Sequence, residues 1–300
     1  MMTPEIRFKT ITSLQDVVPH ASLAPRVVPR RVLMCPPTYF EVKDANNAFM
    51  ADNIGGVDWD KAQQQWSKLK ETIENCGFPV EIIEPIAGFE DMVFTANQVL
   101  PFAKFGGEPS VIVGQMAFPT RQREVPFFEK WFQAHGYNLL SIPADCERFE
   151  GGGDGIWHAD LGLLWVGVGQ RTSEKSCDEL ARILEVPVVK LKLVSPKFYH
   201  LDTAFAVLDS QSVLVYPGAF DRTGLELIRF YFKNVVEISE SDANNFAGNA
   251  FALDRNVILQ RGSISTCEEL GRLQFVPHEV DTSEFMKSGG SVYCMTQMVY

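Results

Sequence analysis

Phe246-Ala247-Gly248-Asn249, followed by the apolar runs Ala250-Phe251-Ala252-Leu253 and Val257-Ile258-Leu259, sets the pattern of the chain: an aromatic residue, a small pair, an amide, then two short strands. Upstream, Tyr199-His200-Leu201-Asp202 leads into Ala204-Phe205-Ala206-Val207-Leu208 and Val213-Leu214-Val215 in the same order. Phe149-Glu150-Gly151-Gly152-Gly153-Asp154 leads into Ile156-Trp157 and Leu163-Leu164-Trp165-Val166, and Phe94-Thr95-Ala96-Asn97 into Val99-Leu100 and Val111-Ile112-Val113. The Asn or Asp positions 97, 154, 202 and 249 lie 57, 48 and 47 residues apart. A partial fifth block, Gly289-Gly290-Ser291-Val292-Tyr293-Cys294-Met295, closes the chain, and the opening strand Val32-Leu33-Met34-Cys35 is placed to complete it.

Helical patterns fall between these hairpins. Trp59, Ala62, Trp66, Leu69, Ile73 and Cys76 recur at steps of three and four, with Asp58 as N-cap and Gly77 as the stop. Weaker patterns cover 123–135, 173–185 and 222–233, and Ser265-Thr266-Cys267-Glu268 has capping-box spacing, which makes Cys267 a first-turn helix residue. A hairpin and helix repeating about every 50 residues, each unit unable to bury its own apolar face, predicts pseudo-symmetric α/β units stacked around an axis. Residues 29–300 are read as one closed domain and residues 1–28, polar and Pro-containing, as a loosely packed N-terminal extension.

Composition narrows the function. Of 300 residues, 46% are apolar and 22% charged, values ordinary for a globular domain. The net charge of −11 repels phosphate backbones, so no nucleic-acid partner is expected, and it suits a small cation. No apolar run is long enough for a membrane span, so no membrane partner is expected either. The first thirty residues do not read as a secretory signal, and cytoplasmic residence is the expectation. The six cysteines form no CxxC pair and have no His at metal-ligand spacing, so reduced thiols and no metal are expected.

In a ring of equivalent units, the polar residues that open each block converge on the axis. These are Asn97, Glu150, Asp154, His200, Asp202, Asn249 and Cys294. A thiol and an imidazole 94 residues apart on equivalent positions suggest nucleophilic catalysis in an acidic pocket. The three glycines after Glu150 permit a close approach of backbone or ligand. Each residue also has a plainer reading: Cys294 as a buried apolar thiol, His200 as a core histidine, Glu150 and Asp154 as caps for loop amides, Asn97 and Asn249 as turn residues.

The four ordered motifs Phe94-Thr95-Ala96-Asn97, Phe149 to Asp154, Tyr199-His200-Leu201-Asp202-Thr203 and Gly289 to Thr296 resemble those of the guanidine-modifying enzymes of the pentein superfamily. The resemblance runs from Met34 to the C-terminus. It implies a five-bladed α/β propeller with pseudo-fivefold symmetry, a central Cys294–His200–Glu150 site, and no metal or organic cofactor. Phe49-Met50-Ala51-Asp52-Asn53-Ile54-Gly55 and Met92-Val93-Phe94-Thr95-Ala96-Asn97 look most like the arginine dihydrolase branch. In that reading Asn97, Asp202, Asn53, Asp154, Arg121 and Asn249 bind a small cationic guanidino substrate. Gln115 stands where dihydrolase relatives place an arginine, which leaves Arg121, Arg123 or Arg171 to meet the substrate carboxylate. Homo-oligomerisation is left open.

The chemistry so implied begins with attack of Cys294 on the guanidinium carbon, while Asp202 and Glu150 neutralise the cation and protonated His200, or the substrate itself, favours the thiolate. His200 then protonates the departing ammonia and later activates water. One cycle on arginine yields citrulline; two yield ornithine, two ammonias and carbon dioxide. Asn97, where deiminases carry Asp, is the expected reason for a second cycle. The alternatives are dimethylarginine hydrolysis, amidino transfer and, from another class, a non-catalytic arginine-binding propeller.

Overall fold

The computed structural model describes residues 8–300; part of the expected extension, residues 1–7, lies outside the described residues. Its strands, in chain order, are β1 (Thr10–Ile11), β2 (Arg31–Met34), β3 (Val80–Ile82), β4 (Val99–Phe102), β5 (Ser110–Val113), β6 (Asn138–Ser141), β7 (Gly155–His158), β8 (Leu163–Val168), β9 (Val188–Lys192), β10 (Phe205–Val207), β11 (Ser212–Val215), β12 (Asn234–Glu237), β13 (Phe251–Leu253), β14 (Asn256–Gln260), β15 (Val276–Val280) and β16 (Gln297–Val299). The five main helices are α1 (Trp59–Asn75), α2 (Val125–Ala134), α3 (Lys175–Leu184), α4 (Arg222–Tyr231) and α5 (Ile264–Arg272).

These strands form five small sheets of one design. In β4-β5-β6, β7-β8-β9, β10-β11-β12 and β13-β14-β15, an antiparallel hairpin is followed by a helix and a parallel strand. The fifth sheet joins the two ends of the chain: β16 pairs antiparallel with β2, Met298 opposite Val32, and β2 pairs parallel with β3 across α1. Parallel neighbours need a long crossover, and each helix supplies it. The fold is therefore mixed α/β with several small sheets.

Local chemistry accounts for the helix ends. Asp58 caps α1 by accepting from the Lys61 amide at 3.0 Å, and Gly77 follows the helix at φ +87°, a conformation that a side chain resists. Leu69 and Ile73 are fully buried on its inner face, each contributing roughly 1.5–3 kcal/mol by leaving water. Trp59 departs from the expected stripe: it is 49% exposed and its indole donates to the Thr38 carbonyl.

Two further expectations are corrected. Helix α5 starts after Ser263, not at Ser265, and no capping box forms. The Asp242 carboxylate, reaching over from residues 240–244, accepts from the Thr266 amide and from the hydroxyls of Ser265 and Thr266, so a tertiary contact takes over the cap. Loose packing fails at two points of residues 8–28, Ile11 and Val18. Strand β1 adds to β9 in parallel, Thr10 opposite Val188, and Ile11 and Val18 are buried because the edge of that sheet offers unpaired backbone groups and an apolar flank. No helix among the described residues is long and apolar enough to cross a membrane.

Candidate active site

Each opening residue of the repeat precedes the first strand of its sheet: Asn97 before β4, Glu150 and Asp154 before β7, His200 and Asp202 before β10, Asn249 before β13, and Cys294 before β16. All seven side chains are buried. Asn97, His200 and Cys294 line one cavity of about 20 Å³, together with Asp91, Arg121, Arg171, Tyr199 and the loop residues Asn46, Asn47 and Met50. That volume holds about one water molecule.

The glycine triplet makes this approach possible. Gly151 sits at φ +51°, and a Cβ there would fall within 2.5 Å of the carbonyl oxygens of Asn97 and Val99. A Cβ on Gly153 would overlap the Asn97 side-chain amide. Any side chain at these two positions would push Asn97 away from Glu150 and His200.

Glu150 is fully buried and holds three partners. Oε2 accepts from His200 Nε2 at 2.6 Å and from Arg171 at 3.2 Å, and Oε1 accepts from the Ala117 amide at 2.8 Å. Burial pushes this carboxyl up, but the His200 hydrogen bond and the nearby positive charges outweigh it and hold Glu150 at about 2. The Glu150 carboxylate therefore fixes the orientation of the His200 ring.

Cys294 has different neighbours. Its Sγ donates to Asp202 Oδ2 at 3.1 Å and lies 3.2 Å from the Asn249 amide nitrogen, and neither partner is His200. Burial and the adjacent Asp202 charge push the thiol well above its ordinary range, which disfavours the thiolate. Of the two expected ways to favour the thiolate, protonated His200 or the substrate itself, the first has no direct hydrogen bond to the sulfur. Burial also raises Asp202, to about 7 against the pull of the Cys294 and Asn249 hydrogen bonds, and its Oδ1 has no partner.

The other site residues foreseen from the sequence divide into two groups. Arg121 lies in the cavity wall, paired with Glu124 at 2.9 Å, and donates to the Phe94 carbonyl and to Asn97 Oδ1 at 3.4 Å. This leaves Asn97 Nδ2 without a partner. Asn53, Asp154 and Asn249 do not contribute binding groups to the cavity. Asn53 donates to the Phe49 carbonyl of its own turn. Asp154 spends one oxygen on the Leu201 amide and the other on the Thr172 hydroxyl, anchoring the segment that carries His200. Asn249 holds the loop of Cys294: Oδ1 accepts from the Cys294 amide, and Nδ2 donates to the Asp202 carbonyl and approaches the sulfur.

Asp91 was not singled out as a ligand although it faces the cavity, and Arg171, one of the three arginines expected to meet a substrate carboxylate, faces it too. Arg171 is held between the rings of Phe118 and Tyr199 at 4.6 and 4.7 Å and bridges Glu150 to the Asn46 carbonyl. Desolvation raises the Asp91 carboxyl against the pull of Arg121. The signal for Asp91 was its place three residues before Phe94, an acid at the edge of a motif. Gln115 donates to the Ile142 carbonyl, and Arg123 packs over Phe89, outside the wall. Among the described residues no group of three His, Cys, Asp or Glu is arranged to hold a metal ion.

A family model described as N,N dimethylarginine dimethylhydrolase, eukaryotic, matches residues 36–300. The chain belongs to the dimethylarginine dimethylhydrolase family. It is similar to the bifunctional arginine dihydrolase/ornithine cyclodeaminase ArgZ of Synechocystis sp., 35% identical over 272 residues, covering 90% of this chain and 37% of that protein. This dimethylarginine dimethylhydrolase family member thus spans little more than a third of that relative's length. It is also 37% identical to the N(G),N(G)-dimethylarginine dimethylaminohydrolase of Mycobacterium tuberculosis, covering 90% of this chain and 86% of that one. The N-terminal domain of ArgZ, solved covalently bound to a reaction intermediate, superimposes with a TM-score of 0.86 at 34% identity, covering 90% of this chain and 97% of that one.

Proposed function

We propose that this protein is a cysteine-dependent hydrolase of the guanidinium group of arginine or an arginine derivative, working through a covalent amidino-thioether on Cys294, with arginine dihydrolase chemistry as the first reading. The observation that carries it is a single cavity holding Cys294 beside Asp202 at 3.1 Å and His200 oriented by Glu150 at 2.6 Å. Membership of the dimethylarginine dimethylhydrolase family, and the similar ArgZ domain solved covalently bound to a reaction intermediate, support it.

Behind Cys294 of the cavity wall, Asp202 Oδ1, a buried carboxyl oxygen with no donor of its own, is available to a planar cation bound against the sulfur. The cation's charge beside Cys294 reverses the electrostatics that keep the sulfur protonated, so the substrate favours its own nucleophile. The thiol proton passes to His200 and the thiolate bonds to the guanidinium carbon. His200 returns that proton to the departing nitrogen, which leaves as ammonia as its C–N bond breaks. Water, deprotonated by His200, then adds to the same carbon; the C–S bond breaks and a ureido product leaves.

Asn97 favours the second cycle. Arg121 holds its oxygen, so the free group is an N–H donor, which cannot accept from a guanidinium but can donate to a ureido carbonyl. Two cycles give ornithine, two ammonias and carbon dioxide. The second reading, hydrolysis of dimethylarginine, is favoured by the family model and the M. tuberculosis relative. Arg121 and Arg171 are the cations available for a substrate carboxylate, and entry requires movement of the wall formed by Asn46, Asn47 and Met50.

The five like sheets, with the two chain ends joined in the fifth, support reading residues 29–300 as one five-bladed α/β propeller domain with 1–28 as its extension. Six unpaired cysteines support residence in the reducing cytoplasm.

Product analysis after incubation with arginine and with dimethylarginine tests the function. Ornithine with ammonia supports the first reading; citrulline and dimethylamine from dimethylarginine support the second. Citrulline alone from arginine makes the enzyme a deiminase, and transfer to an added amine makes it an amidinotransferase. No product from any substrate, or unaltered turnover in Cys294→Ala, overturns the hydrolase.

A further inference from the structure

A second cavity, of about 170 Å³, lies farther along the same five strands. In every sheet the catalytic-end residue precedes the first strand, and the second cavity is lined by residues further along it: Leu100 of β4, Ile156 of β7, Ala206 of β10, Phe251 of β13 and Met298 of β16. Its wall is apolar and aromatic, with Trp157, Tyr293 and Tyr300 completing it. The one cation at its edge, Arg26, stacks on Trp157 at 4.5 Å and has already given its terminal nitrogens to the carbonyls of Leu184 and Ala103. Nothing there calls for a charged ligand. An apolar cavity of about 150 Å³ is large enough to take up benzene.

Three residues in this wall, Gly152, Gln297 and Tyr293, adjoin the catalytic machinery. Gly152 is two residues from Glu150, and a Cβ there would lie 3.0 Å from the Gln297 side-chain amide. The Gln297 amide, turned with its N–H₂ toward the backbone, donates to the carbonyls of Ala96 and Val99 at 3.2 Å, on either side of Asn97 and Gln98. Tyr293, also in the wall, directly precedes Cys294. The boundary between the two cavities therefore consists of the backbone that positions Asn97, Glu150 and Cys294.

We propose that this second cavity is a binding site for a small uncharged aromatic molecule, of phenol or indole size, and that its occupancy alters the reactivity of Cys294 through Gly152, Gln297 and Tyr293. The site differs from the guanidino pocket in chemistry and place. A ligand shifts the catalytic end only to the extent that it binds one arrangement of this shared wall better than another.

Indole is the probe. Calorimetric titration of the full chain should show saturable binding, weakened at least tenfold in Ala252→Phe and in Val207→Phe, which fill the cavity from two different strands; thermal melting checks that each variant is folded. Saturating indole should also change the rate at which iodoacetamide labels Cys294, read by peptide mass spectrometry, at least twofold in the wild type and not in the filled variants. Neither readout uses a substrate, so the proposal stands or falls apart from the enzymatic reading. Absence of saturable binding, or equal binding by wild type and both folded variants, overturns the site. Binding with an unchanged labelling rate overturns the coupling.

Discussion

Cys294 Sγ donates a 3.1 Å hydrogen bond to Asp202 Oδ2, which makes the thiol's nearest hydrogen-bond partner an acid and not the His200 imidazole. A carboxylate beside a thiol opposes its ionisation, and in the proposed reaction the guanidinium cation would offset that block.

Replacing that acid should free the sulfur. In Asp202→Asn the pH profile of Cys294 alkylation should move to lower pH, since a like charge has been removed, while turnover falls at least tenfold because the guanidinium loses its carboxylate. An alkylation profile that stays in place or moves to higher pH counts against the electrostatic account.

Three buried carboxyls, Glu124, Asp154 and Asp202, are raised by burial to about 7 each. Because their folded values exceed the unfolded ones near 4, the native state binds more protons between about pH 4 and 7, and stability falls as pH rises through that window. Glu150 has the opposite sign, at about 2, and its contribution is lost only below the unfolded value, as pH falls toward 2. The melting temperature should therefore be higher at pH 5.5 than at pH 7.5. A higher value at 7.5 would contradict these assignments.

Gly153→Ala puts a methyl group where the Asn97 side-chain amide lies. The fold has five sheets elsewhere to sustain it, so circular dichroism should change little, while kcat should drop by about 100-fold as the amide is displaced by about an ångström. Near-normal turnover would mean that Asn97 is not held against Gly153 in the working enzyme.

Asn97→Asp exchanges a donor for an acceptor beside Arg121. The product mixture from arginine should shift from ornithine toward citrulline, because the ureido carbonyl loses its donor. Chromatographic quantification of the two amino acids decides it; an unchanged ratio removes Asn97 from the second cycle.

Arg171 supplies a charge-assisted contact to Glu150 and tethers the Asn46 carbonyl. Arg171→Ala should raise KM for arginine at least tenfold, and Arg171→Lys should recover only part of it, since an ammonium cannot bridge both partners in a planar fork. Full recovery by lysine would reduce Arg171 to a point charge.

The sequence by itself determined the hairpin-and-helix unit, its recurrence, and the handful of polar residues that open each repeat, because apolar periodicity and glycine placement are local properties of the chain. It also placed Cys294, His200, Glu150 and Asn97 on equivalent positions, and all four meet within one buried cluster. Tertiary structure alone decided which of them touch. That Asn249 and Asp154 serve the backbone of Cys294 and His200, that Arg171 reaches Glu150 from between two rings, and that Asp202 rather than His200 holds the thiol, all depend on distances between different sheets. Hydrogen-bond partners and desolvation are set by how separate units pack, and no spacing within one unit encodes them.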